Sequence, residues 1–218
     1  MKKVLVAILL LLIVGAGYVA FGKYQHKRFI EALVPHVKNA SLRVANSARY
    51  ETEESSRITY KELFEKFESD ISEVDKRLID IQSLSSPKTS QVTDPTVTYL
   101  KASQEYLRAL LQKNRKQLAV SIAVNWANKS LDELRASSSY GFDFAMHSSD
   151  NAIKSVGDAE REYNASIPEL VASVTKLKES REGVRNLFPE DALIPVSQLN
   201  AVIQKNLSEP KTAASQAK

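Results

Sequence analysis

The chain contains no cysteine. That absence removes disulfides, thiolate metal ligands and a cysteine nucleophile together. Glycine and proline are scarce, 6 and 7 among 218 residues, and few stretches alternate apolar and polar residues as a half-buried strand does. Ala, Leu, Glu and Lys are plentiful instead, so the composition predicts an all-α protein. Histidine is limited to His26, His36 and His147. No P-loop, dinucleotide fingerprint, nucleophile elbow or zinc-protease signature is present. Without a nucleophile, a metal set or a pair of facing carboxylates, the sequence predicts a protein that is not an enzyme and carries no cofactor.

The net charge of +4 is unevenly placed. Lys2, Lys3, Lys23, Lys27 and Arg28 make residues 1–28 strongly basic, with no acid among them. Residues 29–218 are close to neutral, with 25 bases against 26 acids. A basic excess confined to the flanks of an apolar run points to a membrane surface and away from nucleic acid. That run, Val4 to Gly22 through Leu9 and Val14, is 19 residues without a charge. As a helix it spans about 28 Å, close to the ~30 Å hydrocarbon core. The expectation is a single transmembrane helix within an anchor segment, 1–28. A cleaved signal peptide is the competing reading, with small residues at Gly15, Ala16 and Gly17. The run outlasts a typical signal core, which favours a retained anchor. The "MKK" start is of bacterial type, so the expected location is the inner membrane. Residues 29–208 then stand in the periplasm or outside the cell, and 209–218 are a disordered tail.

Helical periodicity predicts the remainder. One helix from Tyr24 to Leu84 carries a seam at Phe64, Phe67, Ile71, Val74, Leu78 and Ile81, in steps of three and four. The polar stretch "RYETEESSR" (49–57) interrupts that helix without ending it. A turn at 85–95 leads to a second helix with its N-cap at Asp94, running to about Ser138 with Trp126 in its core. A third helix starts near Ser149. Its seam includes Ile153, Val156, Ile167, Leu170, Val174 and Leu177, with the polar residues Glu160 and Arg181 in phase. A short fourth helix covers 197–207. The architecture expected is an elongated antiparallel three-helix, coiled-coil-like bundle with a short fourth C-terminal helix. Acidic residues at 51–80 face basic ones at 95–139 if the first two helices fold back on each other. Arg108 and Arg115 then meet acids such as Glu68 and Asp75, and Arg181 comes within reach of Asp75, Asp80 or Glu105.

Three candidate sites emerge. Polar seam residues such as Glu160 and Arg181 set register in a bundle, or line an internal ligand site. Asp143, His147 and Asp150 share a face if 143–150 is helical, which is a partial metal set lacking a fourth ligand. Tyr140, Phe142 and Phe144 lie in a connection expected to point back at the membrane. There they either plug the bundle end or form an interfacial loop dipping into the bilayer. The function these features predict is a non-catalytic scaffold or adaptor for envelope partners, with the lipid bilayer and an unidentified envelope protein as partners. The distal turn from Pro87 to Asp94 and the helix faces are its expected contact surfaces. The alternatives are a bundle that binds a small molecule or lipid, secreted after cleavage, and a homo-oligomer closed through the same seams.

Overall fold

The computed structural model describes residues 2–50, 59–86 and 88–208, with side chains described from Gly22 onward. Among these the chain is all-helical, with no strand. Five α-helices follow one another: α1 (Lys2–Arg49), α2 (Tyr60–Ser83), α3 (Ser90–Ala136), α4 (Phe142–Val184) and α5 (Val196–Ser208). A 3-10 turn, Glu190–Ala192, lies between the last two. The run from Val4 to Gly22 belongs to the backbone of α1, but all of it except Gly22 lies outside the residues whose side chains are described. Among the described residues, no helix is long and apolar enough to cross a membrane. The predicted tail, 209–218, lies outside the described residues, as do 51–58 and Pro87.

The single helix expected over 24–84 is two antiparallel helices. Arg43 donates to Asp70 over 3.2 Å, His36 lies 3.6 Å from Asp80, and Lys66 donates to Tyr50 over 3.1 Å. Position rises along α1 as it falls along α2, so the chain reverses between them. The physical reason lies in the two apolar stripes. Leu33, Val37, Ala40, Val44 and Ala48 on α1 are buried, as are Leu63, Phe67, Val74 and Ile81 on α2. In one continuous helix these stripes stand end to end in water; folded back, each covers the other. Thr59 begins α2 with a capping box. Its hydroxyl accepts from the Glu62 amide (3.3 Å), and the Glu62 carboxylate accepts from the Thr59 amide (2.9 Å). The Thr59 amide and hydroxyl both donate to the Glu62 carboxylate and hold it below its ordinary range.

α3 returns along α2, fixed by Arg115–Glu68 (2.6 Å) and Arg108–Asp75 (3.7 Å). These are two of the charge pairings that the acidic and basic halves predict. α3 begins four residues before Asp94 and passes through Pro95. α4 runs antiparallel to α3, marked by Lys176–Glu105 (2.6 Å) and by Lys116–Glu162. α5 folds back on α4, where Lys178 donates to Asn200 (2.8 Å). Of the predicted seam, Phe67, Val74, Leu170, Val174 and Leu177 are buried, while Phe64, Ile71, Leu78 and Ile167 are partly buried on its flanks. The main core reaches Leu111 on α3 and begins at Leu170 on α4. α1, α2, α5 and parts of α3 and α4 therefore form a body, and α3 and α4 alone continue beyond it.

Candidate functional site

The continuation is an arm, residues 117–136 of α3 against 142–161 of α4. About 20 residues of helix give it a length of about 30 Å. The residues buried between its helices are small. Val120, Ala123, Ala127 and Ser130 come from α3, and Ala145, Ser149 and Ala152 from α4. Small side chains at three- and four-residue spacing let two helices approach closely, but they bury little apolar area. Leu118, Val124, Leu131, Leu134 and Val156 are partly buried beside them, but three large apolar side chains of the arm face outward. Ile122 is 60% exposed, Trp126 45% and Ile153 52%. Trp126 is thus not a core residue, and the α4 seam in this region is Ala145, Ser149 and Ala152 in place of Ile153. The apolar stripe of α3 through Val120, Val124, Leu131 and Leu134 lies at or beside the arm's interface, and Ala and Ser at helical spacing fill the rest of it. Ile122 and Trp126 border a groove of about 450 Å³, closed on the other side by Ser155, Ala159 and Glu162. Lys116 pairs with Glu162 at the body end of this groove and holds its carboxyl below the ordinary range.

The arm ends at the connection 137–141. α4 begins at Phe142, seven residues earlier than expected. The aromatic residues there do not plug a bundle end: Tyr140 is fully exposed, Phe144 83% exposed, Phe142 46% and Met146 40%. Nor does the connection point back toward α1's first turns. α1 runs antiparallel to α2, and α2 antiparallel to α3, so α1 and α3 are parallel. Ser41 meets Tyr99 over 2.8 Å. From that level α3 rises about 55 Å to Ala136, and α1 extends about 28 Å the opposite way to Gly22. The aromatic tip and the start of the described side chains are therefore roughly 80 Å apart. The turn after α2, expected at the distal tip, lies at the same end as the exposed segment 22–28.

The other candidates have structural partners. Arg181 is buried, 2% exposed, and meets none of Asp75, Asp80 or Glu105. Its Nε donates to the Ile194 carbonyl (2.7 Å), one guanidinium nitrogen to Glu182 (3.1 Å) and the other to Glu190. The Tyr99 hydroxyl accepts from the Ile194 amide (3.3 Å) and shares a hydrogen bond with Ser41. Burial pushes the Tyr99 hydroxyl above its usual range, offset in part by these hydrogen bonds. Arg181 and Tyr99 thus grip both polar groups of Ile194 and bind the segment after α4 to α1 and α3. Glu160 is half-buried on the arm. Asp70 is buried between α1 and α2, where burial raises its carboxyl against the lowering effects of Ser47 and Arg43. A polar cleft beside it is lined by Arg43, Tyr50, Glu62 and Lys66.

α4 does carry Asp143, His147 and Asp150 on one helix, and all three are exposed. Among the described residues no group of three His, Cys, Asp or Glu side chains is placed to hold a metal ion. Comparison with protein-family models, curated proteins and solved structures returned no match.

Proposed function

We propose that the chain is a non-catalytic, membrane-tethered scaffold whose working surface is the α3–α4 arm. The observation that carries this reading is the inverted packing of the arm. Small residues fill its interior while Ile122, Trp126, Phe144 and Ile153 face water. Large apolar side chains left exposed beside a groove, as Ile122 and Trp126 are, mark an interaction site. The uncharged run Val4–Gly22 and the basic residues beside it support a helix across the inner membrane, with the remainder in the periplasm or outside the cell. On that reading α1 leaves the bundle at the bilayer and the arm stands farthest from it. The turn around 84–90 becomes membrane-proximal and is no longer the contact point.

Two measurements test this. The first is the mass of the mature protein from bacterial membranes. An intact N-terminus released only by detergent supports the tether. A mass beginning at Tyr18 or later, in the soluble fraction, refutes it. The second is crosslinking recovery of envelope partners with the Trp126→Glu variant. Undiminished recovery refutes the arm as the working surface.

A further inference from the structure

The arm is the one part of the described structure where two helices stand without a third. In the body, α3 and α4 are flanked by α1, α2 and α5. Beyond it, the helices hold each other largely through Ala, Ser and Val120 and leave large apolar side chains on one flank. On α3 it runs through Ala119, Ile122 and Trp126; on α4, Phe144, Ser155 and Ala159 fall on a common side by helical periodicity. The α3 half is large and the α4 half is small in the groove region. A surface of that kind complements itself when α3 of one copy lies over α4 of another, because bulky residues then face small ones.

We propose that this flank binds a second copy of the chain, two arms pairing side by side to complete a four-helix bundle. Three features of the chain favour that occupant. First, the area suffices: a face two helices wide and about 30 Å long buries roughly 1,200 Å² in total, the lower limit for a specific interface. Second, the charge pattern permits it. Residues 117–128 contain no charged side chain, and the acids bordering the groove are already paired within the chain, Glu162 with Lys116 and Asp158 with Arg161. Third, the arm's outer half is net acidic, with Lys129 and Arg135 against Asp132, Glu133, Asp143 and Asp150, which disfavours an anionic lipid surface. The association stands on the arm alone. Its orientation rests on the membrane reading: two copies anchored in one bilayer pair in parallel, tips together.

The chain is well suited to a test. Its single tryptophan lies in the proposed interface, and it has no native thiol. The full chain, in mild detergent, is followed by light scattering and by Trp126 emission as concentration rises. The expected result is a protein mass that doubles while emission shifts to the blue. A second expected result is that Ile122→Glu keeps the helical circular dichroism but stays monomeric, with red emission throughout. Ile122 is mostly exposed, so this variant folds. A monomer at every concentration overturns the proposal, as does a dimer in which Trp126 remains open to acrylamide quenching. A blue shift that appears only with phosphatidylethanolamine–phosphatidylglycerol vesicles, at constant protein mass, also overturns it and assigns the flank to lipid. Ser138→Cys at the tip separates the orientation from the association. A short bis-maleimide joins two tips in a parallel pair. A dimer that it fails to join overturns the parallel arrangement and counts against a common membrane anchor, leaving the arm contact intact.

Discussion

Replacing Arg181 by Met asks whether the body is closed by a buried cation or by its apolar surroundings. Met preserves much of the volume and the flexible stem, so little cavity is created. What is lost is the donor to the Ile194 carbonyl, 2.7 Å away in a buried setting. A hydrogen bond from a charged group contributes about 1.5–3 kcal/mol, and a carbonyl left buried without a donor forfeits a similar amount. The ion pairs with Glu182 and Glu190 weigh far less. Those side chains are 55% and 68% exposed and return to water when the cation is removed, so each contributes roughly 0–1 kcal/mol. Arg181→Met should therefore destabilise by about 2–3 kcal/mol, or lower Tm by about 4–12 °C for a chain of this size. Glu190→Gln should stay within about 1 kcal/mol. Urea unfolding followed by far-UV circular dichroism measures both. Tyr99→Phe removes the acceptor of the Ile194 amide, and because Tyr99 and Arg181 fix the two peptide groups of one residue, the double variant should fall short of additivity. Equal losses for Arg181→Met and Glu190→Gln would refute the argument, since the exposed ion pair would then be the principal restraint. So would an Arg181→Met protein as stable as the parent.

Two further outcomes follow from burial. Asp70 has its carboxyl raised in the folded state above the ordinary 3.8. Between 3.8 and that raised value the folded state binds more protons than the unfolded, so stability is greater below this window and is lost as pH rises through it. Urea midpoints measured from acid to neutral pH should show this slope as a difference between the parent and Asp70→Asn; parallel curves would exclude it. Ala152→Leu forces a larger side chain into the fully buried arm seam and should destabilise by about 1–3 kcal/mol. Hydrogen exchange should place the loss in 120–136 and 142–156, with the body's protection retained; uniform loss across α1 and α2 would show that arm and body unfold as one unit.

The all-α class and the pairing of α2 with α3 were legible in the sequence because both rest on local statistics: helix formers without breakers, and blocks of opposite charge. Arg115–Glu68 and Arg108–Asp75 are pairings that charge alone suggests. The reversal between α1 and α2 was not legible. The apolar residues of 30–48 and of 60–81 each read as a helical stripe, and neither stripe states whether its partner lies ahead in the same helix or beside it. The arm misled for a different reason. Large apolar residues read as core, so Ile122, Trp126 and Ile153 were placed inside although they are exposed. The fully buried seam consists, apart from Val120, of alanines and serines, which read as neutral in composition. Arg181 was rightly placed in phase with the core, but its partners come from the irregular segment 189–195, which no helical wheel projects onto it.

The reversal also decides which end of the molecule meets what. A continuous first helix puts the turn near residue 90 farthest from α1's start and brings the aromatic connection back beside it. Folding α1 against α2 exchanges those ends. Tyr140, Phe142 and Phe144 are then carried by about 37 residues of α3 beyond the Tyr99–Ser41 contact. A bilayer that holds α1 cannot be the bilayer these aromatics touch while the rod stands upright, since roughly 80 Å separates them. On the proposed tether, the exposed tip and flank find their cover at the far end, where anything that shares the anchor is held at the same height. A second copy of the chain meets that condition without any further element: its arm rises to the same level, presents the same flank, and loses its own exposed Trp126 in the same contact.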